Sequence, residues 1–353
     1  MNLANLNQLS LIEPIVPSTI SIVIPVHNGG ENFRRCLLSL VKFVPKSTEV
    51  IVVVDGGTDE SQHLAEELGA KILVFPTAGG PARARNSGAR AAQGDIIFFI
   101  DADVTVGADT LNQVATVFHN QSDLAALIGS YDDAPGASNF LSQYKNLFHH
   151  YTHQTASSEA TTFWGACGAI RREAFLAVGG FDEAYRYPSV EDIDLGYRLK
   201  QAGFRIELCR TVQVKHLKRW KVISLLKAEF FYRALPWTEL IWRDRQLNTN
   251  DLNLKLSSRI SLMLTYGLLV ALISAWWWLN AWVIAGGLSL ALLLLNLPVY
   301  RFFHQKRGLW FALRVVPWHW LYFFYGGLAF VIGTTRYHLF SKYKLNSASF
   351  SQV

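Results

Sequence analysis

The chain has 353 residues, enough for one domain of ordinary size and a further region. Half of the residues are hydrophobic, 11 are Trp, and nearly all acidic residues lie in the first 250 positions, so no single soluble core accounts for the whole chain. The formal charge of +6 suits an anionic membrane surface or a phosphorylated substrate. Without a nucleic-acid-binding motif or dense basic blocks, the sequence argues against nucleic acid as a partner.

The three cysteines, Cys36, Cys167 and Cys209, are too few and too scattered for a disulfide framework or a zinc cluster. We interpret them as buried thiols. The first basic residue is Arg34, so the N-terminal extension, residues 1–18, lacks the charged region of a signal peptide. We therefore expect the N-terminal domain to stay in the cytoplasm.

An α/β domain is predicted from residue 19 onward. The β-branched runs at residues 19–25 and 49–55 predict strands, and the segment between them has apolar residues at helical spacing. A short helix, a strand at residues 71–74 and a helix at residues 81–92 then lead to residues 94–103. This alternation predicts a parallel sheet with helices on both faces.

Residues 94–103 form a short apolar run that closes with Asp101 and Asp103. The pattern predicts a buried parallel strand that delivers two carboxylates to the edge of the sheet where open α/β folds bind ligands. Alternation along an extended chain lets both carboxylates point the same way, and such oxygen ligands suit Mg²⁺ or Mn²⁺ carrying a diphosphate. The alternative is structural, because an Asp after a strand commonly caps a helix or forms a turn.

Residues 130–163 show no clear period and contain three histidines, His149, His150 and His153. A metal site here would need a second set of ligands. We favour a flexible loop or a surface helix that lines an acceptor cleft.

Residues 220–245 combine Trp and Phe with Lys and Arg, which is typical of amphipathic helices in a membrane interface. We assign residues 220–255 to such interface helices. The alternative is an ordinary amphipathic helix packed on the N-terminal domain.

No charged residue lies between Arg259 and Arg301. A bilayer crossing needs about 20 residues, so this length suits two spanning helices joined near Leu279 and Asn280. At the far interface we expect a group of tryptophans, Trp276, Trp277, Trp278 and Trp282.

Residues 315–335 contain no Asp, Glu, Lys or Arg and are long enough for a third span, although Pro317 also allows a bent or re-entrant element. The transmembrane region is therefore residues 256–336, with about three spans, and residues 337–353 form a basic tail whose side of the membrane stays open. The loop between the second and third spans is expected to be cytoplasmic because it carries Arg301, Lys306, Arg307 and Arg314.

Six motifs in order resemble those of family 2 glycosyltransferases, over about residues 19–220. In the first, residues 21–28, His27 stands where the family usually has an aromatic residue; in the second, residues 54–61, Val54 replaces the first Asp of the family's Asp-Asp-Gly-Ser-Thr-Asp. The others are residues 80–88, 101–103, 165–172 and 179–183, the last followed by Glu191-Asp192. The resemblance implies the GT-A fold, a Rossmann-like, mostly parallel sheet with helices on both faces, here with C-terminal transmembrane helices.

The resemblance implies a nucleotide-sugar donor, a UDP- or GDP-sugar. Pro25 and His27 can form a wall against the base, and Asp55 can accept a hydrogen bond from the base or ribose. Alternatively, Asp55 is the N-cap of the following helix. Arg85, which matches the family's Ala-Arg-Asn, is favoured over Arg83 for the diphosphate, although either arginine can instead pair with a surface carboxylate.

Asp101 and Asp103, with Ala102 between them on the donor side, are then expected to hold the divalent cation. The cation neutralises charge on the departing nucleoside diphosphate. His216 stands at the Gln position of the Gln-x-x-Arg-Trp signature of processive polysaccharide synthases, and the resemblance implies that it approaches the metal or the diphosphate.

An acceptor hydroxyl must lose its proton as it attacks, so the site needs a general base. Glu191-Asp192 matches the family's acidic pair, with Asp192 as the base of a single inverting displacement. The alternative is a capping box formed by Ser189 and Asp192. Gly165 to Gly168 would form the floor beneath the donor sugar and the acceptor.

Trp220 is expected to stack on a sugar ring or to anchor in the membrane interface. Together these features predict a multi-pass glycosyltransferase of the inner (plasma) membrane, with a cytoplasmic catalytic domain, that adds one sugar to a lipid or lipid-linked acceptor. The alternatives are a processive polysaccharide synthase and a catalytically inactive membrane scaffold.

Overall fold

The computed structural model describes residues 19–244 and 255–349, with side chains described as far as residue 339. The N-terminal extension and most of the basic tail's side chains therefore lie outside the described residues. The same holds for residues 245–254, at the end of the predicted interface helices.

Four parallel strands form the first half of the sheet, and their order in space is β3-β2-β1-β4. All five residues of the fourth strand are buried, because helices cover both faces. The predicted order of elements is confirmed. The elements are β1 (Ile20–Val26), α1 (Gly30–Phe43), β2 (Glu49–Asp55), α2 (Ser61–Glu67), β3 (Lys71–Phe75), α3 (Pro81–Ala91) and β4 (Ile96–Ile100).

Two apolar clusters lie on opposite faces of this sheet. Successive strand residues alternate between them: Phe98 packs with one cluster and Phe99 with the other. This is the period of two that an extended chain imposes, and it explains why the central strands are apolar throughout.

Beyond β4 the sheet becomes mixed. Strands β1 to β4 are parallel to one another. The second half of the sheet continues in the order β4-β8-β6-β9-β5. In this half β6 and β9 are parallel, and the other three pairings are antiparallel. A two-residue strand, β7, pairs with β9. The elements are β5 (Val104–Val106), α4 (Thr110–Asn120), β6 (Leu124–Tyr131), α5 (Phe140–Thr155), β7 (Glu159–Ala160), β8 (Cys167–Arg171), α6 (Arg172–Ala177), α7 (Glu191–Gln201) and β9 (Arg205–His216).

Helix α5 corrects the expectation of a flexible loop or surface helix over residues 130–163. The helix packs against β6 with several buried polar residues, so its buried face lacks the apolar period that would have shown it. His150 donates from Nδ1 to the Tyr131 carbonyl at 2.7 Å, and the Nδ1 of His153 lies 3.0 Å from the Gly129 carbonyl. These side chains tie the helix to the strand.

Residues 222–243 follow as one continuous helical run: α8 (Val222–Lys227), a π-helical segment (Ala228–Ala234) and α9 (Leu235–Arg243). Pro236 lies in the first turn of α9, and a proline displaces the carbonyl four residues earlier, which belongs to Tyr232. Ser189 donates its hydroxyl to that carbonyl at 2.8 Å. The widened helix is thereby fastened to the segment that precedes α7.

The C-terminal region contains two helices long and apolar enough to cross a membrane, Leu256–Ser274 and Leu309–Leu339, and a third crossing if a pair of helices bent by 62° is one span. The bend lies between α11 and α12, whereas α13 continues through Pro317. The four tryptophans at positions 276–278 and 282 are exposed at the tip between α10 and α11. The helices are α10 (Leu256–Ser274), α11 (Ala281–Leu295), α12 (Leu297–Arg307) and α13 (Leu309–Ser349).

The basic loop expected between the second and third spans is helix α12 and the beginning of α13, and its basic residues contact the N-terminal domain. Lys306 pairs with Asp133 at 2.6 Å, and the Arg307 Nε donates to Gln143 at 2.8 Å. The Arg314 guanidinium lies 4.1 Å from the ring centroid of Phe140. This loop and the N-terminal domain therefore lie on the same side of the apolar helices.

Candidate active site

Asp101 and Asp103 flank Ala102 at the carboxyl end of β4, where the chain turns into β5. Strand β5 pairs with the end of β9 so that Val104 lies opposite His216. This register places the imidazole beside Asp103, with 3.5 Å between His216 Nε2 and Asp103 Oδ2. Sheet pairing therefore brings these two distant side chains together.

The orientation of His216 is fixed from its other side. Its Nδ1 lies 2.6 Å from Asn146 Oδ1, and the ring stacks on Tyr131 with centroids 4.4 Å apart. A proton on Nδ1 would satisfy the amide oxygen and leave a lone pair on Nε2, facing Asp103. Burial alone would raise the pKa of Asp103, but when His216 is instead the doubly protonated imidazolium, its charge and that of Lys218 lower this pKa to about 2.

Arg85 bridges the two halves of the site. Its Nη2 donates to Asp101 at 2.7 Å and its Nη1 to Glu191 at 3.0 Å. Burial acts to lower the pKa of the guanidinium, but Asp101 and Glu191 raise it overall, so Arg85 keeps its charge. It is buried between two carboxylates, as a link between strand β4 and helix α7.

Glu191 and Asp192 begin helix α7 and have different surroundings. The second oxygen of Glu191 accepts the Ser189 N–H at 2.7 Å, so each oxygen of its carboxylate accepts a hydrogen bond from the protein. Asp192 accepts N–H groups from Gly165 at 3.2 Å and Ile193 at 2.8 Å. The capping-box alternative is wrong, because the Ser189 hydroxyl bonds Tyr232 instead.

Burial and the nearby Glu191 carboxylate raise the pKa of Asp192 to about 7, against the opposing effects of Arg85 and the two backbone N–H groups. Asp192 is the member of the acidic pair that lines the large cavity described below. A carboxyl with this pKa can exchange a proton near neutral pH. Glu191 instead positions Arg85 and the start of the helix.

Gly165 and Gly168 do not form an open floor, which corrects the sequence expectation. A Cβ on Gly165 would lie 2.9 Å from the Arg85 guanidinium carbon. On Gly168 it would lie 2.4 Å from the Trp164 carbonyl oxygen. These positions are small because the Arg85 side chain and the chain itself pass close by.

Asp55 holds the turn that leads into α3. Its buried carboxylate accepts the N–H groups of Gly79, at 2.9 Å, and Gly80, at 2.7 Å, and pairs with Arg83 at 2.7 Å. It does not cap α2, so that alternative is wrong. His27 is exposed beside it, with Nδ1 2.7 Å from the Asp55 carbonyl oxygen, and the half-buried Pro25 completes this corner.

The position of Trp220 also corrects the sequence expectation. Its ring is 5% exposed, packs with Leu141 and Leu225, and lies under the Lys218 ammonium at 4.6 Å. The backbone N–H donates to Ser142 at 2.7 Å. A ring buried in this way neither stacks on a sugar nor anchors in an interface.

A cavity of about 690 Å³ begins at Asp192 and Trp164 and extends to the apolar helices. Its walls come from α5, the π-helical segment, α9, α10 and α13. Near Asp192 the lining includes Ser189 and Thr162; at the other end it includes Leu262 of α10 and Phe330 of α13. One continuous space therefore joins a titratable carboxylate to the region of the candidate membrane spans.

Several site residues were not predicted from the sequence. Asn146 and Tyr131 orient His216, and the cavity contains a charged group of Lys145, Glu229 and Arg233. The cavity-facing His149 is half-buried and lies 3.1 Å, between Nε2 atoms, from His153. Glu229 and Arg233 lie in no motif, and only the unassigned polar character of residues 130–163 could have drawn attention to the others, Tyr131, Lys145, Asn146, His149 and His153.

Comparison with known proteins identifies the domain that carries this site. Residues 21–179 match the model of glycosyl transferase family 2, and residues 145–221 match that of the N-terminal domain of galactosyltransferase. The globular domain belongs to glycosyltransferase family 2. The first match spans β1 to β8, and the second spans the segment that carries Asp192 and His216.

Curated relatives of this glycosyltransferase domain include the pre-mycofactocin glycosyltransferase of Mycobacterium tuberculosis, which is 30% identical over 224 residues, covering 60% of this chain and 46% of the relative. An uncharacterized glycosyltransferase of Haemophilus influenzae is 34% identical over 117 residues, covering 32% of this chain and 46% of the relative. The chain thus spans about half the length of these curated relatives.

Among solved structures, the mannosyltransferase PcManGT of Pyrobaculum calidifontis has a TM-score of 0.62 at 17% identity and covers 90% of this chain and 88% of its own. TarS 1–349 of S. aureus has a TM-score of 0.51 at 19% identity, with 78% and 81% covered. These likenesses show the GT-A fold that the sequence motifs predict.

Proposed function

We propose that the protein is a membrane-bound, metal-dependent, inverting glycosyltransferase that transfers one sugar from a nucleotide-sugar donor to a lipid or lipid-linked acceptor. The cavity carries this proposal, because it connects Asp192 with helices α10 and α13. A soluble donor can approach from the open sheet edge, and an amphiphile can reach the same carboxylate from the bilayer.

The donor end has the side chains that a divalent cation prefers. Asp101 and Asp103 supply carboxylate oxygen ligands, which Mg²⁺ and Mn²⁺ prefer. The hydrogen bond from His216 Nδ1 to Asn146 directs a lone pair at the same point. The part of the chain that the structure describes contains no group of three or more His, Cys, Asp or Glu side chains already arranged around one point. The chemistry of Asp101, Asp103 and His216 suits Mg²⁺ or Mn²⁺, and we propose that these residues would hold the cation together with the donor diphosphate.

A cation bound at these residues supplies Lewis-acid stabilisation of the leaving nucleoside diphosphate. Asp192 performs the proton transfer: it takes the proton of the acceptor hydroxyl while that oxygen bonds to the anomeric carbon. The bond from this carbon to the diphosphate oxygen breaks, and its electron pair leaves with the diphosphate. One displacement inverts the anomeric centre, and no covalent enzyme intermediate is needed.

We infer the class of donor and the cation from solved structures of proteins that have the same fold. PcManGT is described in complex with GDP-Man and Mn²⁺, and TarS 1–349 with UDP-GlcNAc. At this chain's donor corner we propose that Pro25 and His27 contact the nucleoside, that Asp55 contributes by holding the adjoining Gly79–Gly80 turn, and that Ala102 lies on the donor side of the two carboxylates. We propose a UDP- or GDP-sugar on this basis.

The proposed location is the inner (plasma) membrane, with the glycosyltransferase domain in the cytoplasm. The contacts of Lys306 and Arg307 place the basic loop on the domain's side, and basic loops are retained in the cytoplasm. The exposed tryptophans at positions 276–278 lie at the tip of the α10–α11 hairpin and would reach the opposite interface.

The test is transfer by the full-length protein in nanodiscs made from native membrane lipids. Radiolabelled UDP- and GDP-sugars are supplied with Mn²⁺, and the lipid fraction is separated by chromatography. We expect label from one donor to enter a lipid as a single sugar. No transfer from any donor, or equal transfer by Asp192→Asn, would refute the proposal, and products of increasing length would refute single addition.

A further inference from the structure

The cavity contains a charged group that the proposed transfer of a sugar does not use. Glu229, buried in the π-helical segment, accepts from Lys145 of α5 at 2.7 Å and from Arg233 at 2.8 Å. The Tyr325 hydroxyl of α13 donates to the same carboxylate at 3.2 Å. Lys145, Glu229 and Arg233 all line the cavity, so we name them the cavity triad.

The formal charges of the cavity triad do not cancel. Lys145 and Arg233 are cations, and Glu229 is the carboxylate that pairs with both of them. The triad therefore carries one positive charge in excess, which Asp192 offsets across the cavity only when it is ionised. A ligand of opposite sign at the triad would compensate for this charge.

Arg233 also has donors left for a ligand. Its side chain is 47% exposed, and within the described ranges 19–244 and 255–349 it donates one hydrogen bond, to Glu229. A guanidinium has five N–H donors in a planar fork, which matches two phosphate oxygens. The Lys145 ammonium donates one of its three N–H groups to Glu229, and Lys145 also lines the cavity.

The widened helix explains how both charged residues reach the cavity. Glu229 and Arg233 lie four residues apart in the π-helical segment, next to the turn fastened by Ser189. The same cavity continues past Trp237 to Leu262 and Phe330, which are apolar. An anionic group at the triad would therefore belong to a molecule with a long apolar part.

We propose that Lys145 and Arg233 bind the phosphate of a phosphate-bearing lipid, and that Glu229 holds the two cations in place when no lipid is bound. The acceptor is then an anionic lipid with its reacting hydroxyl toward Asp192, its phosphate at the triad and its chains against α10 and α13. This assignment rests on the proposed function of the cavity as the acceptor site.

The test uses the full-length protein in phosphatidylcholine nanodiscs that contain phosphatidic acid or a diacylglycerol with the same acyl chains. The lipid retained after detergent extraction is counted by mass spectrometry. We expect preferential retention of phosphatidic acid, reduced about tenfold or more by Arg233→Gln and by Lys145→Gln, because each removes a charge-assisted hydrogen bond. Lys227→Gln removes an exposed cation of the same helical run that does not line the cavity, and it should leave retention unchanged.

Glu229→Gln should increase retention, since it releases both cations. The double variant Glu229→Gln/Arg233→Gln removes a cation and an anion together, so no buried carboxylate loses a charged partner. We expect it to fold, as measured by thermal unfolding, and to retain less phosphatidic acid than the wild-type protein. Equal retention of the two lipids by the wild-type protein, or unchanged retention in Arg233→Gln, would overturn the proposal.

Two competition experiments identify the source of the phosphate. Excess inorganic phosphate, UDP or GDP should leave the retained lipid in place. Displacement of the lipid by phosphate would assign the triad to a free ion, and displacement by a nucleotide would assign it to the donor. Either result overturns the lipid assignment. Sugar transfer is measured in parallel. Arg233-dependent retention without any transfer would refute the proposed function alone, whereas undiminished transfer to a lipid by Arg233→Gln would refute this inference alone.

Discussion

His216 Nε2 lies 3.5 Å from Asp103 Oδ2 because strand β9 ends beside the first residue of β5. Asp103 immediately precedes β5 and His216 is the last residue of β9. Asn146 of α5 holds the imidazole in place through its other nitrogen, Nδ1. The pair is therefore held in position by backbone pairing and one side-chain hydrogen bond, which makes it suited to a cation that both would bind.

Asp103→Asn should lower sugar transfer and Mn²⁺-dependent binding of UDP or GDP by about 100-fold, because it removes a charged ligand of the cation. Asn146→Leu should lower metal affinity about 10- to 100-fold by releasing His216. Titration calorimetry with Mn²⁺ and each nucleotide measures both. Asp109→Asn changes an exposed carboxylate near the same strand and should have no effect; undiminished Mn²⁺-dependent binding in Asp103→Asn would contradict the assignment.

Asp192→Asn should reduce kcat by about 10²- to 10⁴-fold with little change in the KM for the donor, because a general base acts in the chemical step. In the wild-type protein, kcat should rise with pH through about 7, where Asp192 loses its proton, and level off above it. A rate that is flat between pH 5 and 9 would show that another group accepts the proton.

The raised pKa of Asp192 also determines how the stability of the fold changes with pH. A carboxyl whose pKa is raised from 3.8 to about 7 binds more protons in the folded state, so it destabilises the fold increasingly as pH rises between those values. Asp192→Asn should therefore unfold at an equal or higher temperature than the wild-type protein above pH 7. A lower unfolding temperature would mean that the loss of activity came from damage to the fold.

Arg85→Gln should destabilise the domain by about 3–5 kcal/mol, because it leaves the buried carboxylate of Glu191 without its charged partner. Denaturant unfolding measures the loss, and the double variant Arg85→Gln/Glu191→Gln should recover part of it. Arg90→Gln, at an exposed position on the same helix, is the matched control. If Arg85→Gln kept wild-type stability and lost only donor affinity, Arg85 would be a phosphate ligand as the sequence resemblance implies.

The first half of the fold is predictable because its signals are local. Apolar runs and helical spacing predict β1 to β4 with their helices, and parallel strands necessarily bring their carboxyl ends to one edge, where Asp101 and Asp103 lie. The apolar C-terminal helices, which are candidate membrane spans, are also predictable, because a long stretch without charge has few other structures available. These features need only near neighbours in the sequence.

The rest depends on partners far along the chain. Whether Arg85 binds phosphate or a carboxylate depends on Glu191, which lies 106 residues away. Gly165 is small because Arg85 passes it, and Trp220 is buried because α5 covers it. Helix α5 lacks a clear apolar period in the sequence, since His150 and His153 occupy its buried face and bond backbone carbonyls of the sheet.

The proposed lipid acceptor would enter the cavity at its apolar end, which Leu262 of α10 lines. A bulky thiol reagent on Leu262→Cys should block transfer to a lipid acceptor while leaving nucleotide binding intact, because Leu262 lines the cavity on α10. The background variant is Cys209→Ser, since burial shields Cys36 and Cys167 and raises the pKa of each thiol. Labelled lipid and calorimetric nucleotide binding are measured before and after modification.

The matched control is Val270→Cys, which is exposed on the same helix but does not line the cavity. Modification there should leave transfer unchanged, because the reagent then faces lipid instead of the path to Asp192. Equal inhibition at both positions would indicate a general effect on the membrane helices. Transfer that survived complete modification of Leu262→Cys would mean that the acceptor reaches Asp192 by a route other than the space between α10 and α13.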